Sequence, residues 1–152
     1  MTELNRRKLF TLAAGAGTLG LAGLLPRAAS ATPEATTKAI ADFTGGKSPE
    51  SGKISLTAPE IAENGNSVPI SIAVDSPMTD GDYVASVTIM AEGNPNPEVA
   101  TFLFTPMSGK AEATTRIRLA KTQNVIAVVK MSDGSTYSDT KEVKVTIGGC
   151  GG

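Results

Sequence analysis

The chain has 152 residues, with 14 basic and 15 acidic side chains, a net charge of −1, 4% aromatic residues, one cysteine and no histidine. Without histidine the usual general base, the usual activator of a Ser or Cys nucleophile and the commonest transition-metal ligand are all missing, so self-contained catalysis has almost no parts to work with. A single cysteine excludes an internal disulfide framework, and the balanced charge with few aromatics offers no nucleic-acid footprint.

The chain opens with Asn5-Arg6-Arg7-Lys8-Leu9-Phe10, a twin arginine set directly before the apolar stretch Leu9 to Leu25. That stretch is diluted by Gly15, Gly17, Gly20 and Gly23, stopped by Pro26-Arg27, and followed by the small residues Ala29-Ser30-Ala31. It reads as a twin-arginine export signal over residues 1–31, cleaved after Ala31, rather than as a membrane span, which needs about 20 apolar residues. This signal class belongs to a bacterial route that exports folded proteins, which places the mature chain in the periplasm. Cleavage removes Glu3, Arg6, Arg7, Lys8 and Arg27, leaving 14 − 4 = 10 basic and 15 − 1 = 14 acidic residues and a net charge near −4. Neither nucleic acid nor, after cleavage, a membrane is then an expected partner.

Pro33 to Phe43 is expected to form a short helix. Thr32 stands as N-cap, Pro33 in the first turn, Glu34 near the positive end, Gly45-Gly46 as the stop, and Ile40 and Phe43 on the buried face. Beyond Gly52 the pattern changes to short apolar or alternating runs between turn-forming clusters, and about seven strands are predicted. They are Ile54–Leu56, Val68–Val74, Tyr83–Ala91, Thr101–Phe104, Ala111–Leu119, Asn124–Met131 and Thr140–Ile147. In the second, Val68, Ile70, Ile72 and Val74 alternate with Pro69, Ser71 and Ala73, as a half-buried strand requires. Asn94-Pro95-Asn96-Pro97 and Ser132-Asp133-Gly134-Ser135 read as turns. The expected fold is an all-β, immunoglobulin-like antiparallel sandwich over 32–147 with a short N-terminal helix.

Two side-chain groups within the sandwich invite a chemical reading. Asp75, Asp80 and Asp82 could supply oxygen ligands to calcium, although their spacing is not that of an EF-hand loop and a solvated turn is the commoner explanation. Arg116 and Arg118 point the same way from one strand, as an anion-binding pair, a partner contact or simply a charged outer face. No metal site and no cofactor is expected.

The chain closes on Gly148-Gly149-Cys150-Gly151-Gly152, with the single thiol bracketed by glycines directly after the last predicted strand. Glycine samples positive and negative φ about equally, so residues 148–152 read as a flexible arm that could extend by roughly 15 Å and carry Cys150 into a narrow cleft. Bulky residues at Gly149 and Gly151 are expected to hinder that delivery. An exported lone cysteine reacts between molecules, and as a thiolate it attacks sulfur electrophiles to give disulfides, persulfides or oxidised sulfur adducts. With a reference pKa of about 8.5 and no basic neighbour, the thiol of the free arm stays mostly protonated at neutral pH, so activation falls to the enzymes that receive it.

The terminal Gly-Gly-Cys-Gly-Gly after Val145-Thr146-Ile147, combined with the twin-arginine leader, closely resembles the SoxY family, the sulfur-carrier subunits of the bacterial thiosulfate-oxidising Sox system. Glu63-Asn64-Gly65, Asn94-Pro95 and Thr115-Arg116-Ile117-Arg118-Leu119-Ala120 look like the same family. The resemblance implies a non-enzymatic carrier whose Cys150 holds pathway intermediates covalently. It further implies a heterodimer with a SoxZ-like subunit, and visits to a thiosulfate-coupling c-type cytochrome complex, a sulfate-releasing hydrolase and, where present, a sulfane dehydrogenase. Two other readings stand beside it. One is an exported sandwich module joined to a partner through a lasting Cys150 disulfide. The other is a ubiquitin-like carrier activated at Gly152, which the leader and the strand-rich body argue against.

Overall fold

Thr32 caps a helix, α1 (Pro33–Thr44): its hydroxyl accepts from the Ala35 amide at 3.3 Å, and Gly45 ends the helix in the left-handed region at φ 69°. The structure, a computed structural model, describes residues 32–149. The expected signal segment 1–31 and the arm residues Cys150, Gly151 and Gly152 lie outside the described residues. Nine strands follow the helix: β1 (Glu50–Ser51), β2 (Ile54–Thr57), β3 (Ile61–Asn64), β4 (Val68–Val74), β5 (Val84–Ala91), β6 (Glu98–Leu103), β7 (Ala111–Ile117), β8 (Gln123–Met131) and β9 (Thr136–Ile147). A single 3-10 turn, Pro106–Ser108, separates β6 from β7.

The strands form two sheets. The larger runs β1-β9-β8-β5-β6 with β3 also on β9, and the smaller runs β2-β4-β7. One apolar cluster lies between them, with Ile70 and Ile72 of β4 and Leu56 of β2 facing Val87 and Ile89 of β5 and Val125, Ala127 and Val129 of β8. The alternation predicted for β4 is realised residue by residue: Val68, Ile70, Ile72 and Val74 are buried while Pro69 and Ala73 are exposed. The all-antiparallel expectation needs correction, because β1 and β3 both pair parallel with β9. β1 has no apolar residue and β3 buries only Ala62, so neither carries the apolar alternation that marks a strand. They share the outer edge of β9, β1 at Tyr137–Ser138 and β3 at Lys144–Ile147.

β5 departs from simple alternation for two reasons. A register irregularity between Val84 and Ser86 brings Val84, Val87, Ile89 and Ala91 to the core. The opposite face is buried as well, since Thr88, Met90 and Val128 are enclosed without belonging to the inter-sheet cluster. α1 is the element on that side. Its Pro33 lies beside Asn124 and Glu142, while Lys47, just past its end, donates to the Gly134 carbonyl at 2.8 Å, so the helix runs the length of the β8–β9 hairpin. Within α1 the expected buried pair is only half-buried: Ile40 and Phe43 are intermediate, and Thr36 and Thr44 are the residues fully enclosed.

Between the two short edge strands, Asp139 of β9 accepts from the Leu56 amide of β2 at 2.8 Å and so ties the small sheet to the large one. This is a charge-assisted bond to a backbone group of a core residue. Asp139→Ala is expected to lower the unfolding free energy by about 1–2 kcal/mol, measured by urea denaturation, with an unchanged m-value.

Candidate functional site

The arm leaves the body from the end of β9, and its first two residues are held there. β3 and β9 run in parallel register up to Asn64 opposite Ile147, and the pairing continues one step further as the Gly65 amide donates to the Ile147 carbonyl at 2.7 Å. The Gly65 carbonyl then accepts from the Leu119 amide at 2.8 Å, and the Leu119 carbonyl accepts from the Gly149 amide at 2.9 Å. Three segments distant in sequence are thereby linked through backbone alone: the β3–β4 turn, the β7–β8 loop and the root of the arm.

These close approaches leave no room for side chains. A Cβ on Gly65 would press on the Leu119 carbonyl oxygen and come within 2.8 Å of the Gly149 nitrogen and 2.9 Å of Val145 Cγ1. One on Gly148 would press on the Ala120 carbonyl oxygen, and one on Gly149 would lie 2.8 Å from the Gly65 carbonyl oxygen. Gly149 is buried. Of the arm residues read from the sequence, Gly148 and Gly149 are thus packed against the body, and Cys150, Gly151 and Gly152 lie outside the described residues. Glycine at 148 and 149 answers a demand for space, since neither residue has a positive φ. A valine at Gly149 would fail on packing, so slenderness of the arm is a question for Gly151 alone.

The loop that receives the arm is itself fixed by a buried amide network. Asn94, 1% exposed, donates through Nδ2 to the Arg118 carbonyl at 2.8 Å and accepts through Oδ1 from the Ala120 amide and from Gln123 Nε2, each at 3.0 Å. Gln123 in turn accepts from the Gly93 amide at 2.6 Å and donates to the Lys121 carbonyl at 3.0 Å. Thr122 adds a link to β9 by accepting from the Val145 amide at 2.9 Å. On the turn side, Asn64 Oδ1 accepts from the Asn66 amide at 2.9 Å and so shapes the turn that presents Gly65. The sequence marks Asn64-Gly65 and Asn94-Pro95 as turn formers; that Gly65 meets the arm root and that Asn94 braces the loop which also meets it are long-range facts with no local signal.

The side chains of the other residues singled out in the sequence take no part in this arrangement. Arg116 and Arg118 line a shallow depression together with Asn94, Asn96 and Glu98, and Arg116 Nη1 donates to the Ser67 carbonyl and hydroxyl at 3.3 Å. The Glu98 carboxylate in the same wall argues against an anion site. Asp75, Asp80 and Asp82 are not brought together: among the described residues no group of three His, Cys, Asp or Glu side chains is placed to hold a metal ion. Asp133 is held below the usual carboxylate range by the Ser135 hydroxyl at 2.6 Å and the Ser135 amide at 2.8 Å, which locks the β8–β9 turn at the end of β9 opposite the arm. Among the described residues no helix is long and apolar enough to cross a membrane.

A family model described as sulfur oxidation protein SoxY matches residues 40–150. Among solved structures, the sulfur carrier protein SoxY from Chlorobium limicola f thiosulfatophilum is 38% identical and superposes with a TM-score of 0.62, covering 76% of this chain and 100% of that one. A superoxide reductase (neelaredoxin) from Ignicoccus hospitalis is 20% identical with a TM-score of 0.55, covering 68% of this chain and 91% of its own. A hypothetical protein from Pyrococcus horikoshii OT3 is 16% identical with a TM-score of 0.53, covering 68% and 98%. The last two likenesses show the fold alone. No curated protein matches the sequence.

Proposed function

The chain belongs to the SoxY sulfur-oxidation family, and from that premise we propose that it is a covalent sulfur carrier of periplasmic thiosulfate oxidation, with Cys150 as the attachment point. The observation that carries this reading is the extent of the family match, which runs through the body and ends at Cys150, the one thiol of the chain. In this reading residues 1–31 are a twin-arginine signal, residues 32–147 an immunoglobulin-like carrier body, and residues 148–152 the arm.

The chemistry follows from what a thiol can hold. Coupling of the Cys150 thiolate to thiosulfate forms one sulfur–sulfur bond and yields an S-thiosulfonate, Cys150–S–S–SO3⁻, with release of two electrons to a c-type cytochrome complex. Hydrolysis of the terminal group releases sulfate and leaves a persulfide on Cys150, water supplying the oxygen. A sulfane dehydrogenase, where the host has one, oxidises the remaining sulfur. The carrier supplies none of these catalysts, which accords with a chain that lacks histidine. A SoxZ-like subunit completes a heterodimer exported as a folded pair.

Intact mass spectrometry of the protein from cells grown on thiosulfate tests the reading. Sulfur or thiosulfate additions on Cys150, removed by a reducing agent, are expected on a mature chain beginning at Thr32. A clean thiol, or one fixed disulfide to another protein, would overturn it and favour an assembly module.

A further inference from the structure

Two of the five residues that the sequence reads as a flexible arm, Gly148 and Gly149, are packed against the body, and a glycine from outside the arm, Gly65, takes part in that contact. We infer that Gly65, with Leu119 and Ala120, forms a seat that clasps Gly148 and Gly149 to the body, and that Gly65 is a positioning residue for the thiol. The inference rests on the carrier reading only in what the seat positions.

Three observations carry it. The backbone bonds Gly65 N–Ile147 O, Leu119 N–Gly65 O and Gly149 N–Leu119 O close a circuit that includes the arm root. Gly65 does not have positive φ, so its lack of a side chain is explained by the space occupied by Leu119, Gly149 and Val145 and not by backbone conformation. The seat is rigid, because the 118–123 loop is braced by the Asn94–Gln123 network and Gly65 sits in the turn shaped by Asn64. With the clasp closed, Cys150 is the first residue past a fixed point. Opening it frees Gly148 and Gly149 and lengthens the arm by roughly 7 Å at full extension.

Amide hydrogen exchange on the unmodified protein, read by NMR, is the first test. The Gly149 amide is expected to exchange about tenfold or more slowly than an unstructured glycine, and exchange at the unstructured rate would overturn the inference. The second test attaches a nitroxide to Cys150 and compares wild type with Gly65→Ala. The variant is expected to lose protection at Gly149 and to give a label at least about twofold more mobile, while the Val128 and Val143 amides keep their protection. Equal label mobility and equal Gly149 protection in the two proteins would refute a positioning role. Should Gly65→Ala fail to fold, Gly148→Ala directs its methyl at the Ala120 carbonyl from the arm side and serves the same comparison. None of these readouts depends on the protein's carrying sulfur intermediates. A failed clasp leaves the carrier reading intact, and a protein that carries no sulfur still reports on the clasp.

Discussion

Cys150→Ser abolishes thiosulfate-dependent electron transfer in a reconstituted system and leaves the body folded: this is the largest effect expected of any single substitution in the chain. A hydroxyl in place of the thiol does not ionise at neutral pH and cannot form a sulfur–sulfur bond, so neither the S-thiosulfonate nor the persulfide has a place to reside. No other cysteine can substitute, since Cys150 is the only one in the sequence. Unfolding free energy is expected to change by no more than about 0.5 kcal/mol, because in the carrier reading the thiol serves attachment and not packing. Cytochrome reduction followed with purified partner enzymes, beside a denaturation curve of the variant, checks both halves. Retained electron transfer with a seryl arm would refute the carrier assignment, whereas a collapsed denaturation curve would mean that residue 150 has a structural task.

Much of the fold was legible because the interior obeys local rules. Val68, Ile70, Ile72 and Val74 announce a half-buried strand through alternation, and they line the core. Thr32, Pro33 and Gly45 announce both ends of α1 through capping chemistry. What stayed hidden depends on partners far along the chain. β1 and β3 are two and four residues long, and they exist because the free edge of β9 accepts them in parallel. Ile40 and Phe43 were expected to be buried from the helical period alone. The helix lies on the outer face of the larger sheet, and the residues it encloses fully are Thr36 and Thr44.

The site shows the same division. The arm is written plainly as five residues of which four are glycine, and glycine without context reads as freedom. At Gly148 and Gly149 the context is a backbone seat assembled from residues 65, 119 and 120, and there the missing side chain permits contact. A sequence reader sees mobility where the fold uses the same atoms for attachment.

The seat makes a second large effect predictable, at a residue the sequence offers only as turn punctuation. Asn94→Ala removes the partner of the Arg118 carbonyl, the Ala120 amide and Gln123 Nε2 at once. Leaving buried polar groups unpaired costs about 1–3 kcal/mol each, and water entering beside the exposed Asn96 recovers part of that, so a loss on the order of 3 kcal/mol in stability is expected. Beyond the global loss there is a local signature. Ala120 and Leu119 receive the arm, so a loop no longer braced by Asn94 should release Gly149, and the amide of Gly149 should lose its exchange protection by a larger factor than amides in the β5–β8 ladder. A uniform loss across all amides would mean that Asn94 supports the sandwich as a whole. A selective loss at Gly149 would mean that the brace and the arm are one mechanical unit, in which a buried asparagine on one loop sets where the sulfur begins its travel.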